Sequence, residues 1–86
     1  MGANAAASNA GAMAIGSGAV ASNVQTLAVG QNATVTGPES SAFGYTASAV
    51  GNNALALGSA SSAAGNTTMA IGQNANASNY ATIAMG

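Results

Sequence analysis

The chain contains no Lys, Arg, His, Asp, Cys or Trp, and Glu39 is its one charged side chain. Each absence removes a class of chemistry. Nucleic-acid binding draws most of its affinity from Lys and Arg set against phosphate, so no nucleic-acid partner is expected. Metal sites need clustered Cys, His or carboxylates, and a single Glu is no cluster. The many Ser and Thr hydroxyls have no His, Lys or Asp beside them to act as base. No catalytic residue, cofactor or metal ligand can be named, and an enzyme is not expected. Without cysteine there is no disulfide staple. Asn, Ser, Thr or Gly interrupts every apolar run well short of the ~18 residues of a membrane helix, so this segment is not expected to insert into a bilayer. Met1 to Gly16 has neither the basic start nor the apolar run of a signal peptide.

Large side chains are also scarce. Apolar residues make up 49% of 86, yet 24 of those 42 are Ala. The remaining 18 are few for a conventional core in a chain whose surface-to-volume ratio is already unfavourable. Something besides a compact interior must supply buried area.

What the chain has is a period. Gly stands at 2, 16, 30, 44, 58, 72 and 86, always fourteen apart. Residues 1–86 read as one repeat domain of six units, 3–16, 17–30, 31–44, 45–58, 59–72 and 73–86. The twelfth place is Ala in every unit: Ala14, Ala28, Ala42, Ala56, Ala70 and Ala84. The thirteenth is large and apolar throughout: Ile15, Val29, Phe43, Leu57, Ile71 and Met85. The eleventh holds Met13, Leu27, Leu55, Met69 and Ile83, with Ser41 the exception. The third is Ala except at Ser61, and the fifth is Ala except at Val35. The seventh is Asn or Gly: Asn9, Asn23, Gly37, Gly51, Gly65 and Asn79.

Fourteen is two heptads, but the large residues lie two apart, where a helical seam needs spacings of three and four. Each recurrent Gly would cost a helix roughly 1 kcal/mol. Strands account for every column. Large–Ala–large has period two, which puts the large pair on one face and Ala on the other. Gly and Asn tolerate positive φ, so the seventh and fourteenth places, Gly16, Gly30, Gly44, Gly58 and Gly72 among them, read as turns. Two short strands and two corners make one flattened coil. Six coils stacked at ~4.8 Å would run about 29 Å, with successive strands paired in parallel as a β-solenoid.

A strand that is apolar on both faces is buried on both. One face can look into the coil, and the other needs a partner, which identical copies around a three-fold axis would supply. The expected state is a homotrimer. The large columns are the candidate structural core and the Ala columns the places of close approach; the pattern does not say which face meets the axis.

"MAIG", "LAVG" and "LALG", each followed by small and polar residues, together with the closing "IAMG", make the chain similar to the head repeats of YadA-like trimeric autotransporter adhesins. The resemblance covers all six units. It implies a left-handed parallel β-roll, trimeric, at the extracellular surface of a bacterium in an outer-membrane-anchored fibre. Its partners would be its own copies and a host surface, matrix protein or glycan. The neck, stalk and anchor of that family are missing, and the chain starts and stops in register, so it reads as a segment of something longer. Phage tail and virion fibres carry similar short repeats and are the rival reading. A spacer solenoid and an ice binder complete the alternatives; for the last, Thr34-Val35-Thr36 is the one Thr-x-Thr, and the tenth-place Thr26, Thr68 and Thr82 form a broken column.

Unit three departs from the pattern with the only Pro, Glu and Phe. Pro38 and Glu39 are candidates for a ligand-facing protrusion, set against a plain corner that uses proline's fixed φ, with Phe43 filling volume that Ser41 vacates. Tyr45 and Tyr80 are candidates for stacking on sugars, set against rim packing.

Overall fold

The computed structural model describes residues 4–85; Met1, Gly2, Ala3 and Gly86, on which the outer limits of the repeat numbering fall, lie outside the described residues. The described chain is all β. Its strands are β1 (Ala6–Ala7), β2 (Met13–Ile15), β3 (Val20–Ala21), β4 (Leu27–Val29), β5 (Thr34–Val35), β6 (Ser41–Phe43), β7 (Ser48–Ala49), β8 (Leu55–Leu57), β9 (Ser62–Ala63), β10 (Met69–Ile71), β11 (Asn76–Ala77) and β12 (Ile83–Met85). The odd-numbered strands form one six-stranded sheet and the even-numbered strands another. Every pairing is parallel and joins residues fourteen apart, as in Ala42↔Ala56 and Val35↔Ala49. This is a parallel β-solenoid of about six coils, two short strands to a coil. Its Cα envelope measures 31 × 23 × 11 Å.

Parallel stacking satisfies the backbone of strands and corners alike. Strand amides donate to the following coil, as Val20 N does to Ala33 O at 2.8 Å and Leu55 N to Thr68 O at 3.0 Å. Corner amides donate to the preceding coil, as Gly58 N does to Phe43 O at 2.8 Å and Asn53 N to Pro38 O at 3.0 Å. Since a two-residue strand has no stability of its own, each coil depends on its neighbours for its shape.

The shortest dimension decides what fits inside. Two sheets this close leave room for a methyl and little more. The third, fifth and twelfth places point inward, and Ala19, Ala21, Ala28, Ala42, Ala49 and Ala56 have no exposed surface. Val35 is the largest fully buried side chain. The tenth place also faces in, and there Thr26, Ser40 and Thr68 are buried. Their hydroxyls bond to corner carbonyls: Thr26 Oγ1 to Asn23 O at 2.8 Å, Ser40 Oγ to Gly51 O at 2.6 Å, Thr68 Oγ1 to Gly65 O at 2.7 Å. Each such bond contributes about 1 kcal/mol and spares a corner carbonyl an unpaired burial. Among the described residues no buried side-chain nitrogen or oxygen lacks a partner.

Within one chain the core is therefore alanine. The large columns, read from sequence as the candidate core, stand outside it. β2, β4, β6, β8 and β10 bury only their middle residue, Ala14 through Ala70, while Met13, Ile15, Leu27, Val29, Phe43, Leu55, Leu57, Met69 and Ile71 lie outward, half-buried or exposed. In β12, Ile83 and Met85 are exposed and Ala84 is partly covered. A pocket that admits a methyl excludes a butyl group, so the small residues take the inside.

The corners also differ from expectation. Gly16, Gly30, Gly44, Gly58 and Gly72 do have positive φ, 128° at Gly58. Asn9, Asn23, Gly37, Gly51, Gly65 and Asn79 do not; positive φ falls instead two residues later, at Gly11, Gln25, Glu39, Asn53, Thr67 and Ala81, and at the matching second place, Asn4, Gly18, Asn32, Thr46, Ala60 and Asn74. Those are the third residues of the two turns, where a type II turn needs positive φ. Glycine serves the seventh place for a different reason. A Cβ on Gly37 or Gly51 would run into the carbonyl oxygen of Gly51 or Gly65 in the next coil. Where Asn takes the place, its side chain makes the bond between coils: Asn9 Nδ2 donates to Ser22 O at 2.7 Å and Asn23 Nδ2 to Thr36 O at 3.1 Å.

Candidate assembly interface

The two sheets present opposite chemistry to their surroundings. On the odd-strand sheet the outward places are the fourth and sixth, and eight of their twelve residues are Ser, Thr or Asn. Thr34, Thr36, Ser48 and Ser62 are typical. On the even-strand sheet the outward places are the eleventh and thirteenth, and eleven of twelve are large and apolar. Parallel register stacks them as two unbroken rows: Met13↔Leu27↔Ser41↔Leu55↔Met69↔Ile83, and Ile15↔Val29↔Phe43↔Leu57↔Ile71↔Met85. Met13 is 54% exposed and Leu57 41%.

Scattered exposed apolar residues are ordinary, but two contiguous rows on one face are not. The same strands are sealed on their inner face by Ala, so both faces of this sheet are apolar. The hydroxyl sheet offers water hydrogen-bond partners, and the outward rows of this one offer almost none. What the arrangement can do chemically is associate, by burial of rows that no described element of the chain covers.

The four candidate ligand-facing residues do not converge. Tyr45 is exposed in the corner that opens the fourth coil, and Tyr80 in the opposite corner of the sixth. Pro38 and Glu39 share Tyr80's corner, but three coils earlier. They form no protrusion: Glu39 N donates to Val24 O at 3.0 Å, Pro38 O accepts from Asn53 N, and φ at Glu39 is 57°, matching its column-mates. The Thr column considered for ice binding is not a surface ladder, since Thr26 and Thr68 face the interior. Sequence reasoning missed that inward role of the tenth place. Its signal was there: in four of six units the place is Ser or Thr beside apolar columns.

The close-approach role given to the Ala columns concerned contact between copies; what is observed is contact between the two sheets of one chain. No curated protein matches the sequence. The YadA head domain repeat, in a form that spans two copies of the repeat, matches residues 7–33, 21–47, 36–61 and 63–86. With that match over most of its length, on a parallel solenoid of fourteen-residue coils, the chain belongs to the YadA head-repeat family of adhesins.

Proposed function

We propose that this chain is a structural and adhesive segment of a trimeric extracellular fibre, a left-handed roll in three copies whose even-strand sheets face the common axis. The observation that carries the reading is the pair of outward apolar rows, Met13 to Ile83 and Ile15 to Met85, on one sheet and not the other. Three sheets set around an axis would form a prism with those rows in its interior. The Ser, Thr and Asn of the odd-strand sheet would face outward and offer hydroxyl and amide groups to a host surface, matrix protein or glycan. Family membership supports display on a bacterial surface.

Sedimentation equilibrium on the whole chain tests the assembly. The expected particle weighs three times the 7.9 kDa of one chain. Leu57→Asn, in the middle of the apolar rows, should shift that mass toward single chains or abolish folding, whereas Thr36→Asn on the hydroxyl sheet should leave it unchanged. A well-folded wild-type particle of one chain would overturn the reading.

A further inference from the structure

We propose that Ser41 and Phe43 fix the axial register between copies; this rests on the assembly reading above. The apolar rows are nearly uniform. Two copies laid together find almost the same contact after one slides by a coil, ~4.8 Å. Such a slip turns a rotation into a screw. Equal screw contacts do not close into a ring but continue as an open filament. A closed trimer therefore needs some feature that makes the slipped contact worse.

The third coil has one. Ser41 is the only small residue in the eleventh-place row, and Phe43, two residues on, is the only aromatic in the thirteenth. Both are half-buried on the outer face of β6. Parallel register runs through them unbroken, Leu27↔Ser41↔Leu55 and Val29↔Phe43↔Leu57, so the backbone has not shifted to absorb the change. In a three-fold ring each contact is heterologous: the thirteenth-place row of one copy meets the eleventh-place row of the next. In register, Phe43 then faces Ser41 of the second copy, large against small. One coil out, Phe43 meets Leu27 or Leu55 and overpacks, while Ser41 faces Val29 or Leu57 across a gap.

Two opposite substitutions test this. Ser41→Phe places two large residues in the coil, and Phe43→Ser places two small ones. Each alone should lower the melting temperature of the trimer, and the double exchange S41F/F43S should recover most of the loss. Co-expression of the two single variants with different tags separates contact between copies from neighbour packing within a strand. Mixed trimers let the large pair of one chain meet the small pair of another, so native mass spectrometry should find them above their random share. If neither variant folds alone, soluble mixed trimers on co-expression give the same support. Random mixing, no rescue on co-expression, or a double exchange that melts no higher than the worse single variant would overturn the register role. A wild-type particle of one chain's mass would instead overturn the assembly reading on which it rests.

Discussion

Gly58→Ala should be far more damaging than the addition of one methyl group suggests, and the structure allows the cost to be built up. Gly58 has φ of 128°, a region that L residues enter at a cost of about 1–3 kcal/mol. A Cβ there would lie 2.6 Å from Gly72 O and 2.7 Å from Gly72 C, both backbone atoms that cannot rotate away. Relief requires lifting the next coil at the point where Gly72 N donates to Leu57 O at 2.7 Å, and losing that bond adds about 0.5–1.5 kcal/mol. The sum is about 1.5–4.5 kcal/mol, a large share of the total for a small domain. Gly18→Ala is the matched control. Its φ is 72°, the added Cβ meets the end of the Asn32 side chain, and the fifth coil already carries Ala60 at the equivalent place with φ of 61°. That change should cost no more than about 1–2 kcal/mol. Urea unfolding followed by far-ultraviolet circular dichroism compares the two midpoints directly. Equal losses would refute the claim that close approach between coils, added to backbone conformation, selects glycine at Gly58.

Two further substitutions probe the interior. Thr68→Val keeps the shape but leaves Gly65 O without its 2.7 Å partner, and should lower stability by about 1–3 kcal/mol in the same unfolding assay. Ala56→Leu forces a branched side chain into a site with no exposed surface, between Ala42 and Ala70; a loss of about 1–3 kcal/mol, or failure to fold, is expected from thermal melts and expression yield.

Much of this fold was legible in the sequence because a parallel stack copies its constraints every fourteen residues. Repeated Gly, Ala and large residues at fixed places identified two strands per coil and the parallel pairing. Alternation separates two faces, but it does not say which face is inside. The usual preference for burying Leu and Ile misleads here, because thickness is set by coil length and fourteen residues close around methyl groups. Ser40 and Thr68 looked like ordinary polar residues until the tenth place was seen to cap corners from within. Gly37 and Gly51 looked like positive-φ residues, yet what excludes a side chain there is the carbonyl of the next coil. The true positive-φ places were obscured by Gln25, Thr46, Ala60 and Ala81, which occupy them because backbone hydrogen bonds above and below hold the turn whatever side chain it carries. The outward rows were visible as columns, and the need for a partner with them, but which face is left for that partner shows only once the inside is seen to be filled by Ala.

The near absence of charge follows from the same geometry. Every side chain stands ~4.8 Å above its own counterpart, so a charged column would be a ladder of like charges. In water each neighbouring pair would cost up to about 0.9 kcal/mol at that spacing, and the five contacts in a column of six up to about 4 kcal/mol. A neutral amide has no such cost and can bond to the next coil, as Asn9 and Asn23 do. Glu39 is tolerated because its column-mates Gly11, Gln25, Asn53, Thr67 and Ala81 are all neutral. Gln25→Glu together with Asn53→Glu removes that isolation by stacking a carboxylate on either side of it. Both sites are exposed, so burial changes little, and the two new repulsions should lower stability by up to about 2 kcal/mol at low ionic strength. Sodium chloride raised from about 10 mM to 1 M shortens the Debye length from roughly 30 to 3 Å and should return most of the loss, while the wild-type melting temperature stays nearly constant over the same range. A variant whose deficit is unchanged by salt would mean that the corner side chains splay too far apart to repel, and that columnar stacking does not explain why the chain carries almost no charge.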